Sequence, residues 1–343
     1  MHHHLSSAHT ALDTASQTST AGPRAVVTKT NTSFVSACEL AQCLKGLGKD
    51  FCVVQLSSGP LQGHFSVLNL EGISLLKIST NQVLLLNGNR GEDCISFCLE
   101  CTGNSKDHRV QCQSFDPFGL YGFNQNLRES HFQLSAGSVN LIAISSARRF
   151  NNLLTKTGHE HLIEPLLASN SLSLDPDRHK NLCQHIQALI ENPPLTLRNN
   201  VLSAQTLFTA IIESLQSRSN YFTPFALSTR NQLVRELVRW STLNLGSRAS
   251  LDQICEQLYT SRRTLILGTK DNFACGPMEL LRTIRLQQVH TLLRSPEARQ
   301  QHALYTVSDI SEHCGFRSRG HFARAYRTHF DETPRATLIN SLT

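Results

Sequence analysis

The last third of the chain contains the same short helical pattern twice, and this repeat constrains the fold more than any other feature. Ser250 and Thr306 each stand three residues before a polar Gln or Asp, a spacing that predicts a capping box at the start of a helix. Apolar residues recur at helical spacing behind each cap, and after a short turn Ser261 and Ser318 are placed to cap a second helix. A helix, a turn of three or four residues and a second helix form the helix-turn-helix layout. The sequence therefore predicts two helix-turn-helix units.

A long helix is predicted between the two units. It starts at Pro277, a residue favoured at the first helical position, and its apolar residues continue to Leu293. A helix of about 17 residues is roughly 25 Å long, and recognition helices that enter one face of DNA sit about 34 Å apart. We therefore expect this helix to hold the two units at a fixed spacing. An amphipathic lead helix is predicted before them, from Leu233 to Leu245.

The net charge of the chain is concentrated in the same region. Residues 228–343 contain 16 Lys and Arg against 10 Asp and Glu, a balance of +6 that equals the net charge of the whole chain, so residues 1–227 are neutral. Lys270 is the only lysine among those 16 cations. The planar guanidinium of arginine binds two acceptors at once, which suits phosphate and guanine. This pattern favours a nucleic-acid partner, although a solvated basic surface would give the same balance.

The second unit resembles the signature of the AraC/XylS family of transcription regulators. The segment Gly315–Phe330, followed by Thr333 and Pro334, is similar to the family pattern G-F-x-S-x-x-x-F-x-R-x-F, then Lys or Arg, and then T-P. Residues 230–341 as a whole resemble the two-unit layout of that family. Four positions depart from the residue that is common in the family: Leu267 and Thr269 in the first unit, and Asp331 and Leu338 in the second. We therefore expect the first unit to bind DNA less tightly than the second.

The resemblance implies which side chains approach DNA. In the second recognition helix they are Ser318, Arg319, Gly320, His321, Arg324 and Arg327, and in the first Ser261, Arg262, Arg263 and Ile266. Arg319 or Arg324 is expected to bind guanine through O6 and N7, Arg327 to bind phosphate, and Ile266 to touch a thymine methyl. The helix starts at Ser261 and Ser318 are expected to offer amide hydrogens to phosphates.

The N-terminal half has a different organisation. Residues 1–32 are rich in Ser, Thr and Ala and predict a flexible tail. Short apolar runs separated by turn residues recur between 50 and 147 and predict a small β barrel or sandwich. From about 147 the pattern becomes helical, with Phe222-Thr223-Pro224 as a linker. The predicted fold is thus α+β: a sensing and dimerisation domain over 33–222, a β barrel or sandwich with flanking helices, followed by an all-α DNA-binding domain over 228–343.

Composition bounds the cellular context. Residues 1–20 lack the apolar core of a signal peptide, and no run approaches 18 apolar residues, so we expect a cytoplasmic protein without a membrane span. Its eleven cysteines are then expected to be reduced. Cys94, Cys98, Cys101 and Cys112 include one C-x-x-C pair, a spacing that zinc sites use, although cysteines in a strand are commonly small core residues.

Taken together, the resemblance implies a sequence-specific DNA-binding transcription regulator that acts as a homodimer on double-stranded DNA and contacts RNA polymerase. The neutral N-terminal half favours control by a small-molecule effector. Two alternatives stay open for that half: a ligand-free dimerisation or protein-interaction module, and a Cys-based metal or redox sensor. No catalytic residue, cofactor or metal site is predicted, because no glycine-rich phosphate loop is present and Gly63-His64-Phe65-Ser66 lacks the second His of a barrel metalloenzyme.

Overall fold

The computed structural model describes residues 28–104, 106–216 and 221–341. Within these ranges the strands are β1 (Lys29–Phe34), β2 (Phe51–Gln55), β3 (Gly63–Leu70), β4 (Ile73–Thr80), β5 (Leu84–Asn89), β6 (Cys94–Glu100), β7 (Arg109–Val110), β8 (Gln113–Ser114), β9 (Gly119–Tyr121), β10 (Glu129–Leu134), β11 (Ser138–Ser146), β12 (Ser169–Ser173) and β13 (Tyr221–Pro224). The helices are α1 (Ala37–Lys45), α2 (Ala147–Lys156), α3 (Ile163–Ala168), α4 (Pro176–Glu191), α5 (Leu197–Leu215), α6 (Thr229–Leu243), α7 (Leu251–Gln257), α8 (Arg262–Phe273), α9 (Pro277–Arg294), α10 (Pro296–Gln301), α11 (Val307–His313), α12 (Arg319–Phe330) and α13 (Pro334–Asn340). A 3-10 turn, Glu160–Leu162, precedes α3. In the part of the chain so described, no helix is both long and apolar enough to cross a membrane.

The strands form two antiparallel sheets rather than one closed barrel. The larger sheet has the order β1-β3-β4-β11-β6-β9-β12-β13, and the smaller has the order β2-β5-β10-β7-β8. β11 lies at the centre of the larger sheet, where Leu141 pairs with Lys77 of β4 on one side and Leu99 of β6 on the other. The predicted α+β class is confirmed, with the β part built as two sheets.

Side-chain alternation gives the larger sheet two buried faces. Leu76 and Ile78 of β4 point towards the smaller sheet, where they pack with Leu84 and Leu86 of β5. Their neighbour Leu75 packs in a second core with helices α2 to α5. Because successive residues of a strand face opposite sides, a strand covered on both sides reads as a continuous apolar run, as β4 and β11 do. The N-terminal half is therefore a stack of helices, larger sheet and smaller sheet.

Several sequence expectations need correction. The predicted tail 1–32 lies mostly outside the described residues, but its last part is strand, because β1 starts at Lys29. Residues 222–224, expected to be a linker, belong to β13. This strand follows α5 in the chain, pairs with β12 and forms one edge of the larger sheet. In sequence, neither β1 nor β13 shows the alternation of apolar and polar residues that would distinguish a strand from a loop. The apolar residues that recur at helical spacing from Val201 to Leu215 predict one buried stripe, but Leu202 in that stripe is 60% exposed.

The C-terminal helices enclose two small cores that share α9. Leu280, Leu281 and Ile284 of α9 pack in the first core with α6, α7 and α8. Leu286, Val289 and Leu293 pack in the second core with α11 and α12. Val54 and Leu85, on the outer face of the smaller sheet, belong to the first of these clusters. The N-terminal half therefore packs directly on the first helix-turn-helix unit through apolar side chains.

Two glycines hold the second unit against the loop that follows α6. Gly246 and Gly315 both have positive φ, +73° and +86°, a region that favours glycine. A Cβ on Gly246 would lie 2.2 Å from the carbonyl oxygen of His313, and one on Gly315 would lie 3.0 Å from that of Gly246. Backbone approach this close leaves no room for a side chain.

We predict that Gly246→Ala lowers the free energy of unfolding by about 2 kcal/mol, because the left-handed backbone is strained and the new methyl meets a carbonyl oxygen. Urea denaturation of the full chain measures this. The matched control is Gly320→Ala in α12, where a new Cβ would meet no atom of the described residues within 4 Å. Helix propensity should make that variant more stable by about 1 kcal/mol. Equal stabilities for the two variants would contradict the prediction.

Candidate nucleic-acid interface

The first helix-turn-helix unit is formed by α7 and α8, and the predicted caps are present. The Ser250 hydroxyl accepts from the Gln253 amide, and the Gln253 side chain accepts from the Ser250 amide, which completes the capping box. The turn passes through Tyr259, whose φ is +49°. Ser261 then caps α8 by accepting from the amide of Thr264 at 3.1 Å. Local hydrogen bonds of the kind that the sequence predicted thus fix both ends of the turn.

The second unit, α11 and α12, repeats this construction. Thr306 and Asp309 form a capping box at the start of α11, and Ser318 caps α12. The capping hydrogen bond lowers the pKa of the Asp309 carboxyl, because the Thr306 amide stabilises its charged form. Tyr326 is fully buried, and its hydroxyl lies 2.8 Å from that of Thr337 in α13. The inward face of α12 is therefore fixed by both apolar packing and a buried hydrogen bond.

The side chains expected to approach DNA lie on the outward faces of α8 and α12. Those that are exposed are Ser261, Arg262, Arg263, Ser318, Arg319, Gly320, His321, Arg324 and Arg327. Ile266 is half-buried, and its neighbour Leu267 is at the surface. The geometry thus brings the predicted residues of each unit to one open helix face, and their contacts with bases or phosphates stay predictions.

Within this set the arginines differ in what they already bind. Arg262 forms an ion pair with Asp252 of α7, and the pairing lowers the pKa of that carboxyl. Arg319, the counterpart of Arg262 in the second unit, lies 3.6 Å from Glu312 near the end of α11. By contrast, the side chains of Arg324 and Arg327 have no hydrogen bond or ion pair with any described residue. The first arginine of each recognition helix therefore forms an ion pair within its own unit. The side chains of Arg324 and Arg327 are available to bind another molecule.

The loop between β2 and β3 contacts the far end of α12, which the sequence did not predict. The buried His329 ring donates from Nε2 to the carbonyl oxygen of Gln55 at 3.0 Å, and the Gly59 amide donates to the carbonyl oxygen of His329 at 2.9 Å. Burial lowers the pKa of His329, so the neutral ring is favoured. The Gln55 amide donates to Oε1 of Gln287 in α9 at 3.2 Å. A short segment of the N-terminal half thus holds both the linker helix and the second recognition helix.

Ion pairs add to this contact between the halves. Arg294 at the end of α9 pairs with Glu39 of α1. Glu129 of β10 lies 3.5 Å from Arg235 and 3.7 Å from Arg239, both on α6. One further signal was visible beforehand: Ser36 and Glu39 have capping-box spacing, and Ser36 indeed caps α1, a helix that we did not predict.

The cysteine group singled out in the sequence does not come together. Cys98 packs between the sheets beside Val110 and Tyr121, and Cys101, three residues later, faces the helix-side core. The C-x-x-C spacing on a strand places its two members on opposite faces. Across residues 28–104, 106–216 and 221–341, no three His, Cys, Asp or Glu side chains are grouped so that they could hold a metal ion.

Comparison with known proteins locates the similarity in the C-terminal third. A family model described as a helix-turn-helix domain matches residues 254–339. The HTH-type transcriptional activator RhaS of Escherichia coli O157:H7 is 28% identical over 142 residues, which are 41% of this chain and 46% of that protein. RhaS of Escherichia coli O139:H28 matches to the same extent. The chain thus spans about half the length of the curated relatives that it matches.

Two solved structures are also among the matches. A probable AraC family transcriptional regulator from Rhodopseudomonas palustris is 27% identical and covers 32% of this chain and 97% of its own, with a TM-score of 0.28. ToxT from Vibrio cholerae is 12% identical and covers 92% of this chain and 98% of its own, with a TM-score of 0.31. The C-terminal domain of this chain is thus similar to the helix-turn-helix domains of transcription regulators such as RhaS.

Proposed function

We propose that the chain binds double-stranded DNA sequence-specifically through α8 and α12 and regulates transcription. The observation that supports this most is a pair of capped recognition helices, each with an open arginine-bearing face, mounted on one helix, α9. At 1.5 Å per residue its 18 residues span about 27 Å. A spacer of this order suits recognition helices that enter successive major grooves on one side of a duplex. The activator names of the RhaS relatives support a role in transcription.

Within this proposal the free arginines read the DNA. Arg324 binds a guanine edge through O6 and N7, and Arg327, one turn later, binds phosphate. His321 and Gly320 lie beside them on the first exposed turn of α12. In the first unit Arg263 is the unpaired arginine, and the half-buried Ile266 offers only an apolar contact, such as a thymine methyl. The amides at the starts of α8 and α12 hold phosphates.

We predict that Arg324→Ala weakens binding to a site selected from random duplexes by about 1–3 kcal/mol and relaxes preference at one base position. Arg327→Ala is the matched control on the same helix. It should weaken binding to all sequences alike and reduce the slope of log affinity against log salt by about 1, because one fewer counterion is released. Fluorescence anisotropy over a salt series measures both. A uniform loss for Arg324→Ala would assign that residue to phosphate, and a wild-type affinity that does not change with salt would contradict DNA binding.

We further propose that a small-molecule effector acts at the junction of the halves rather than between the sheets. The space between the sheets is about 60 Å³, whereas a cavity of about 420 Å³ lies where α1 and β2 meet α6 and α9. Ligand pockets usually measure about 300–1,000 Å³. Ala41 and Val53 line this cavity from one half, and Leu245 and Ile284 from the other. A ligand that touches both halves can favour one arrangement of them, which is the requirement for control.

We predict that a metabolite screen by thermal shift finds a compound that raises Tm by mass action and changes DNA affinity. Ala41→Trp, which fills the junction cavity, should abolish that shift. The matched control is Val201→Trp, which projects into a separate groove of about 730 Å³ between α2 and α5 and should leave the shift intact. If the hit responds to Val201→Trp instead, the effector site is the groove. If no compound binds, the N-terminal half is a ligand-free interaction module.

We propose homodimer assembly through the exposed leucines around the start of α5, together with contact to RNA polymerase at promoters. Leu195, Leu197 and Leu202 are 92%, 52% and 60% exposed, so three large apolar side chains close together in sequence are open to solvent. Leu202→Glu should convert a dimer into a monomer in sedimentation velocity, because a charge would be buried in the interface. Leu243→Glu is the matched control, since Leu243 is 72% exposed on the other half. A monomeric wild-type chain would contradict the assembly.

A further inference from the structure

Two cysteines from distant parts of the chain meet in the N-terminal half. Cys101 directly follows β6, and Cys183 lies in the middle of α4. Their Sγ atoms are 2.9 Å apart, although 82 positions separate the residues. Cys183 is 5% exposed in the helix-side core, and Cys101 is half-buried against the same core. The two thiols are therefore in direct contact across the boundary between sheet and helix.

The surroundings make the two sulfurs unequal. His179 lies one turn before Cys183 on α4, is itself buried, and has both ring nitrogens 3.9 Å from Sγ of Cys183. The hydrogen bond donated by the Cys101 thiol lowers the pKa of Cys183, with His179 acting in the same direction, and raises the pKa of Cys101. The negative charge of Glu100 raises the pKa of both thiols, whereas the positive charge of Lys77 lowers the pKa of Cys101. Although burial opposes ionisation of both thiols, Cys183 is therefore the more readily ionised of the two, and the nucleophile in thiol chemistry is the thiolate.

We propose that Cys101 and Cys183 form a redox-modification site, at which a hydroperoxide converts the two thiols into a reversible disulfide. This inference rests on the sulfur contact and the adjacent imidazole, and it is independent of the proposed DNA binding. It assigns a partner to Cys101 that the C-x-x-C spacing did not indicate, since Cys98 lies on the other face of the strand.

The chemistry balances with the hydroperoxide as the only co-reactant. The Cys183 thiolate attacks one peroxide oxygen, the O–O bond breaks, and the departing oxygen leaves as water after protonation, so that Cys183 becomes a sulfenic acid. The sulfur of Cys101 then attacks that of Cys183, the S–O bond breaks, and a second water leaves with the thiol proton. Two thiols have lost two protons and two electrons, and hydrogen peroxide has become two waters. A dithiol reductant reverses the step by thiol–disulfide exchange.

The bond would tie α4 to the end of β6 and close a long loop of chain. Such a cross-link stabilises mainly by restricting the unfolded chain. We expect Tm of the full chain to rise by about 5 °C on oxidation. Since α4 packs on α5 and on the larger sheet, the cross-link fixes the helix layer on the sheet.

The test is peroxide treatment of the reduced full chain, followed by alkylation of the remaining thiols, trypsin digestion and mass spectrometry. The expected result is a linked pair of the peptides 91–106 and 181–198, lighter by two hydrogens than their sum and separated by reductant. Because the first peptide also contains Cys94 and Cys98, Cys94→Ser is the matched control and should retain the link, whereas Cys101→Ser should lose it.

Two further measurements distinguish loss of the disulfide from loss of folding in a variant. His179→Gln should slow disulfide formation several-fold and shift its pH profile upwards, yet leave the same pair linked in the end. Circular dichroism of each variant before oxidation reports folding, and the wild-type peptide map is decisive if Cys101→Ser fails to fold. The proposal is overturned if peroxide leaves both thiols free for alkylation, links either one to another cysteine, or yields only sulfinic acid.

Discussion

The linker helix α9 is the element on which the remaining arrangement depends. Its first part supplies Leu280, Leu281 and Ile284 to one core, and its second part supplies Leu286, Val289 and Leu293 to another. Both units and the N-terminal half pack on α9 and bury most of it, while Met278, Glu279 and Arg282 near its start stay exposed. Because α9 is continuous, any rotation of one unit relative to the other must disrupt one of the cores. The spacing of the recognition helices is therefore a property of the packed domain.

The N-terminal half contacts this element, and its β2–β3 loop also lies beside the recognition helix, since Leu56 and Ser58 line a cavity with His321 and Arg324. Its Glu129 forms an ion pair with α6, and its Gln55 and Glu39 bind side chains of α9. Gln55 also binds the last turn of α12. His329 shows how close the contact with the N-terminal half lies to the predicted DNA-facing residues. It follows Arg327 by two positions and is buried against Gln55. The effector proposed at the junction would act through these contacts with α6, α9 and α12.

Sequence reasoning succeeded where the determinants are local. Spacing alone reveals features that depend on residues within two helical turns of one another. These are the capping boxes at Ser250 and Thr306, the proline at the start of α9, and the inward side chains of Phe322 and Tyr326. The short apolar runs between residues 50 and 147, such as Phe51–Val54 and Leu141–Ile144, likewise mark strands. The family resemblance then indicated the outward arginines, and their exposure agrees with it.

What the sequence did not reveal is set by long-range contacts. The strands β7, β8 and β9 have two or three residues, too few for a pattern, and β12 and β13 exist because they pair with each other and with β9. The pairing of Arg262 with Asp252, the docking of Gln55 on His329 and the meeting of Cys101 with Cys183 need the fold to bring them together. Spacing along the chain also misjudged Leu202, because which side of α5 is covered depends on where the sheet ends.

The most direct test of a fixed spacing uses a duplex selected by the full chain from random sequence. About half a helical turn, roughly 5 base pairs, is inserted between the two half-sites, and in a second duplex a full turn of roughly 10 base pairs is inserted. A rigid α9 predicts that both insertions reduce affinity by about tenfold or more, because only one unit can then meet its bases. Recovery of affinity with the full-turn insertion, or unchanged affinity with the half-turn insertion, would show that the units are joined flexibly and would contradict the account.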